Sequence, residues 1–164
     1  LFSVPGLFFG RLKVFTPPEL ELKLPCFSAI ATASLPKGYV LTPYLRFDKD
    51  EDGRDLPEDL RFMLEPVRKP ADFVGVQFQA AVNNGPNGKV PYLYAVVLTK
   101  GRTGASYAAA GAFRDKAYVV EAGGDGEYGT VVIRQKTSGT GYHTKPKDCE
   151  RLLSAALRAI GGAA

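Results

Sequence analysis

Apolar and polar positions alternate with a period of two through much of this chain, and that period predicts strands. In Leu20-Glu21-Leu22-Lys23-Leu24 the alternation is unbroken, which reads as a half-buried strand ended by Pro25. Upstream, Leu7 to Phe15 mixes Phe8, Leu12 and Val14 with Arg11 and Lys13 and predicts a first strand, stopped by Pro17 and Pro18. Leu1 to Leu7 holds Pro5 and Gly6 and has no period, so it is expected to be a flexible arm, with residues 8–164 forming one domain. Ser28 to Lys37 is unpatterned. Tyr39 to Phe47 is aromatic and β-branched enough for a strand, with Pro43 at an edge or bulge. An acidic loop, Asp48 to Asp59, separates it from Leu60 to Leu64, and Val74 to Val82 follows with Gly75, Gln77 and Gln79 on a wet face.

Asn83-Asn84-Gly85-Pro86-Asn87-Gly88 is dense in turn residues and precedes the Tyr- and Val-rich run Val90 to Thr99. The pair predicts a β-hairpin with a loop longer than two residues. Ser106 to Phe113, Ala117 to Ala122 and Thr130 to Lys136 are three further strand candidates, and the short turns between strands imply antiparallel pairing. The pattern changes period at the end. Cys149, Leu152, Leu153, Ala156, Leu157 and Ile160 recur at three- and four-residue spacing, with Pro146 in the first turn and Gly161-Gly162 as the stop, which predicts a helix. The class expected is α+β: an antiparallel sheet of about six or more strands with a C-terminal helix packed on one face.

With 164 residues, 45% of them hydrophobic, the chain can bury one sizeable core. Lys and Arg number 21 against 17 Asp and Glu, a net charge of +4. That excess suits a mild attraction to acidic surfaces and falls short of the clustered positive field of a nucleic-acid binder. No apolar stretch reaches the ~18–20 residues of a membrane span, and none reads as a signal peptide, so the expectation is a soluble chain without a targeting segment.

The sharpest local pattern is Asp48-Lys49-Asp50-Glu51-Asp52-Gly53, with Asp59 eleven residues after Asp48. Alternate carboxylates around a glycine turn follow the logic of a calcium loop, so Asp48, Asp50, Asp52 and Asp59 are candidate ligands. A solvated hairpin tip is the competing reading, because Asp59 replaces the longer bidentate Glu and Pro57 stiffens the second half. His143, the one histidine, stands between a glycine turn and the final helix and reads as a surface or cap residue. Cys149 lies on the apolar helix stripe as a core thiol, and Cys26 could reach it to form a disulfide in an oxidising compartment. Gly123-Gly124-Asp125-Gly126 precedes a strand, where a phosphate cradle needs a helix, and so reads as a wide turn. Tyr92, Tyr94, Tyr107 and Tyr118 could form a platform for bases, but they lack the interleaved basic residues of an RNA-binding sheet. No nucleophile–base arrangement surrounds His143, so catalysis is disfavoured.

Leu45-Arg46-Phe47, an acidic loop, Asp59-Leu60-Arg61-Phe62-Met63-Leu64-Glu65-Pro66 and Lys69-Pro70-Ala71-Asp72-Phe73 resemble the PsbP family of thylakoid-lumen proteins. Gly88-Lys89-Val90-Pro91-Tyr92-Leu93-Tyr94, Leu98-Thr99-Lys100 and the run from Ala112-Phe113-Arg114 to Glu121-Ala122 continue the likeness, which covers residues 39–160. The resemblance implies an αβα sandwich with one helical layer reduced, since Phe73 to Gly88 has room only for a strand and turn. It also implies a non-catalytic extrinsic subunit of photosystem II in the chloroplast thylakoid lumen, peripheral to the membrane. Such a subunit shields the oxygen-evolving cluster and helps retain calcium and chloride. Its partners would be the photosystem core and other lumenal subunits, with calcium the one cofactor to consider and no nucleic acid. Phe2, Leu7, Phe8 and Phe9 would be apolar anchors. A lumenal subunit or assembly factor of photosystem I is the alternative within this origin. A small-ligand-binding or enzymatic α+β domain is the alternative outside it.

Overall fold

The computed structural model describes residues 17–136 and 143–161. In chain order these form α1 (Pro18–Thr32), β1 (Tyr39–Lys49), β2 (Asp55–Pro66), β3 (Phe73–Gly85), β4 (Gly88–Lys100), α2 (Ala105–Ala112), β5 (Tyr118–Gly124), β6 (Tyr128–Gln135) and α3 (Pro146–Gly161). The strands make one antiparallel sheet in the order β1-β2-β3-β4-β6-β5. This is the α+β class that the pattern predicts, with the terminal helix where its stripe places it. The strand expected over Leu7 to Phe15, the arm, and the anchors Phe2, Leu7, Phe8 and Phe9 lie outside the described residues.

Two segments read as strands are helices. Leu20 to Leu24 belongs to α1, where Pro18 occupies the first turn and Glu19 and Glu21 favour its positive end. Pro25, expected to end the segment, sits inside this helix, and an interior proline costs roughly 3 kcal/mol. Burial of Leu20, Cys26, Phe27 and Ile30 outweighs that, at about 1.5–3 kcal/mol for each large side chain. The alternation misled because Leu24 points to solvent while the buried face continues past the proline. Ser106 to Phe113 likewise folds largely as α2, an alanine-rich helix of about two turns whose N-terminal capping group comes from elsewhere. The Asp72 carboxylate accepts hydrogen bonds from Ser106 N–H and Ser106 Oγ–H, both at 2.8 Å.

The hairpins are tighter than expected. β1 runs to Lys49 and β2 starts at Asp55, so most of the acidic loop is strand and the turn is confined to residues 50–54. Gly85 pairs with Gly88, leaving Pro86-Asn87 as a two-residue connection, with Gly88 at φ 114°. The glycine-rich run closes just as sharply around Asp125, whose carboxylate accepts from the Glu127 and Tyr128 amides.

One sheet face carries the core. Leu64, Val76, Phe78, Leu93, Ala95, Val97, Val131 and Ile133 are buried there, aligned across the ladders, under Phe27 and Ile30 of α1, Ala110 of α2 and Leu152 and Leu153 of α3. Among the described residues all three helices contribute to this one cluster, so they supply a single helical layer. β2 and β3 pair only from Phe62↔Phe78 to Leu64↔Val76, and beyond that short ladder the β1–β2 hairpin diverges from β3–β4.

The Asp72 cap has a measurable signature. Gly104 is required beside it, because a Cβ there would stand 2.2 Å from Asp72 Oδ2. Hydrogen bonds from the Ser106 backbone and then its side chain hold the Asp72 carboxyl below the usual range. A depressed carboxyl stabilises the fold above its unfolded pKa, and that contribution is lost as pH falls through the folded value. Asp72→Ala is expected to lower the unfolding free energy by about 1–2 kcal/mol in urea titrations near neutral pH. The difference from the parent should shrink once the pH is taken below about 4.

Candidate functional site

The acidic tip does not assemble a calcium site. Asp50 is the residue that folds the turn: its carboxylate accepts from the Asp52 amide at 2.9 Å and the Arg54 amide at 2.7 Å. Asp48 accepts from the Lys49 amide, Asp52 pairs with Arg54 at 3.1 Å, and Lys49 with Asp55 at 2.6 Å. Asp59 is remote from the turn, half-way along β2 and opposite Arg46. Its carboxylate accepts from Lys23 Nζ of α1 at 3.0 Å and lies 3.5 Å from Arg61 Nε, just past the end of the β2–β3 ladder. Among the described residues no three His, Cys, Asp or Glu converge on a metal position. The spacing of Asp48 and Asp59 suits a closed loop. Here the paired strands carry the two apart in register, and basic side chains pair with Asp52, Asp55, Glu58 and Asp59.

The four tyrosines are dispersed. Tyr92 and Tyr94 stack on the open face, with ring centroids 5.6 Å apart. Tyr107 belongs to α2 and donates to the Gly123 carbonyl, and Tyr118 is buried at the start of β5. Tyr94 donates to Gln79 Oε1 at 2.9 Å, Gln79 in turn donates to Gln77, and burial raises the Tyr94 phenol, which stays a neutral donor. His143 is exposed. The polar residue of consequence beside it is Thr144, fully buried, whose hydroxyl accepts the Leu93 amide at 2.9 Å and donates to Gln135 at 3.2 Å. That hydroxyl continues the β4 pairing where β6 has ended, a role that no local motif announces.

Cys26 and Cys149 are brought together. Both thiols are free and fully buried, on facing parts of α1 and α3. The Cys26 S–H donates to the Thr144 carbonyl at 3.5 Å and the Cys149 S–H to the Lys145 carbonyl at 3.4 Å, so the two thiols sit over consecutive carbonyls, and their interaction lowers the Cys26 thiol below its usual range and raises that of Cys149.

Two surface features had no signal in the sequence reading. A cleft of about 130 Å³ lies between the end of β2, α2 and the end of α3, lined by Tyr39, Pro66, Arg68, Pro70, Phe73, Ser106, Ala109 and Ile160. It is well below the ~300–1,000 Å³ of ordinary small-molecule pockets, and no nucleophile–base pair faces it. The second feature is an apolar stripe along β1. Val67 donates its amide to the Gly38 carbonyl, which extends the β1–β2 register by one step and sets Val67, Val40 and Tyr44 on the same open face by strand alternation. They are 69%, 51% and 53% exposed. Met63, opposite Thr42, forms the inner margin of the stripe, with its sulfur over Gly75. Leu45 and Phe47, 48% and 53% exposed, carry the apolar character to the other face of the strand. Pro43 and the bulge at Arg46/Phe47 interrupt this edge against simple strand addition, so the stripe offers side chains more than backbone.

No family model, curated protein or solved structure matches the chain. For the acidic tip the expected outcome is negative: calorimetry with calcium should give no binding heat at millimolar ion, whereas saturable heat would mean that the tip rearranges into a site.

Proposed function

We propose that the chain is a non-catalytic extrinsic subunit on the lumenal side of photosystem II, bound through the β1 edge of its sheet. The observation that carries the docking half of this reading is the exposed stripe Val67, Val40 and Tyr44 on the sheet face opposite the helices. Isolated exposed apolar residues are ordinary, but Val40 and Tyr44 of the edge strand with Val67 from the chain just past β2 form a patch of the kind found at protein interfaces. The resemblance of residues 39–160 to the PsbP family supports the photosystem half. A rigid sheet seated on the lumenal surface would retain calcium and chloride by covering the oxygen-evolving cluster, with no ligand of its own. Peripheral attachment accords with the described helices, none of which is long and apolar enough to cross a membrane. The net charge of +4 adds attraction to an acidic lumenal surface, which salt screens over about 10 Å at 0.1 M.

Binding of the purified chain to photosystem II membranes stripped of their extrinsic subunits tests the proposal. Binding is expected at low salt, with release by molar salt. Val40→Glu combined with Tyr44→Glu should weaken it at least tenfold with little change in the thermal midpoint, since both positions are solvent-exposed. Binding to photosystem I alone would move the assignment to that complex. Equal affinity of variant and parent would remove the stripe as the contact.

A further inference from the structure

We propose that Cys26 and Cys149 are a dithiol that oxidises to an intramolecular disulfide, covalently stapling α1 to α3. Cys26 lies on the buried face of α1 just after Pro25, and Cys149 in the first turn of α3. Each thiol is fully buried, and each donates to a carbonyl in the segment leading into α3. Cys26 Sγ is 3.5 Å from the Thr144 carbonyl and Cys149 Sγ is 3.4 Å from the Lys145 carbonyl. Two consecutive carbonyls thus hold the two sulfurs at the seam where α1 packs on α3, closed to solvent. This inference concerns the core and does not depend on the docking partner.

The oxidant is an external disulfide, in two exchanges. The Cys26 thiolate attacks one sulfur of the oxidant, forming a mixed disulfide and expelling one thiolate. Cys149, after losing its proton to solvent, attacks the Cys26 sulfur of that mixed disulfide and expels the second thiolate. Two protein thiols have then lost two electrons and two protons, and one oxidant disulfide has become two thiols. Cys26 suits the first step, because the neighbouring Cys149 thiol holds its pKa below that of a free thiol. Full burial of both sulfurs places the exchange in a state where α1 and α3 have parted, during folding or local opening. Once formed, the bond lies where external thiols do not reach it. It would close a loop spanning most of the described chain, the case in which a cross-link restricts the unfolded ensemble most.

The test starts with the full chain refolded in oxidised or in reduced glutathione, denatured without reductant, and treated with a maleimide. The oxidised sample should be monomeric, lighter by two hydrogens, and unlabelled. The reduced sample should take two labels. The oxidised protein should also melt higher by on the order of 10 °C, an advantage lost on reduction after unfolding. A Cys26→Ser/Cys149→Ser double variant should show no dependence of its melting on glutathione redox state. If the variant fails to fold, the labelling arms on the parent chain decide. Two free thiols after oxidative refolding, a glutathione adduct on either cysteine, or a disulfide-linked dimer would overturn the proposal.

Discussion

The inner face of the sheet must be covered, and every described helix is committed to covering it. Leu64, Val76, Phe78, Leu93, Val97, Val131 and Ile133 are flush with the inside, and α1, α2 and α3 meet over them in one cluster. Removing that much apolar surface from water is the dominant favourable term in a domain of this size, and it sets which helix must lie where. It is strong enough to keep α1 helical through Pro25 and to keep eight residues of α2 helical under a borrowed cap. Among the described residues no helix packs on the opposite face, and its own side chains cover it. There Met63 shields Gly75, and the Tyr92–Tyr94 stack and the Gln77–Gln79–Tyr94 hydrogen bonds tie neighbouring strands together.

What the amino-acid pattern disclosed depends on where each element finds its partners. α3 carries a complete stripe and a proline in its first turn, so its period is visible in isolation. β3 and β4 alternate because each has one dry and one wetter face, and the short turn between them leaves little freedom of topology. α1 was hidden because its charged and apolar residues happen to alternate over five positions. Its true repeat, from Leu20 to Phe27 and Ile30, spans a proline that local rules treat as a stop. α2 was hidden for a different reason. Its capping group is Asp72, thirty-four residues upstream, and its own sequence is small residues that suit either state. Both errors are cases in which tertiary contacts overrode local preference.

The candidate chemistry divides in the same way. Proximity of Cys26 and Cys149 was a possibility at sequence level, and α1, as a helix packed on α3, brings both thiols to the consecutive carbonyls of Thr144 and Lys145, since a strand over Leu20 to Leu24 would have left Cys26 in a loop. The carboxylates of the acidic run do not converge in this structure, because side-chain type and spacing do not encode whether the backbone closes or extends. Asp50 is engaged by two amides of its own turn, and the strand carries Asp59 to Lys23. Thr144 and the stripe of Val67, Val40 and Tyr44 were invisible, the first because its partners are Leu93 and Gln135, the second because strand pairing brings Val67 beside β1.

Core and surface thus have separate tasks, and that separation constrains how the chain can dock. Three aligned side chains and a methionine margin can bury only a few hundred Å² of apolar surface, while stable interfaces bury about 800 Å² on each partner and association itself costs several kcal/mol. The stripe can anchor a complex but cannot hold one alone. The remaining contact must come from the polar surroundings of the same edge, where Arg46 and Glu58 pair at 2.7 Å and Lys69 and Glu65 at 2.5 Å, all partly exposed. Ion pairs already satisfied within the chain give little net affinity when a partner replaces water around them, but they penalise a wrongly placed charge. An apolar stripe flanked by internally neutralised charges therefore favours selectivity over tightness. Such a surface is consistent with the role proposed above, a subunit that would bind one site on a larger assembly and leave it when salt weakens the long-range attraction.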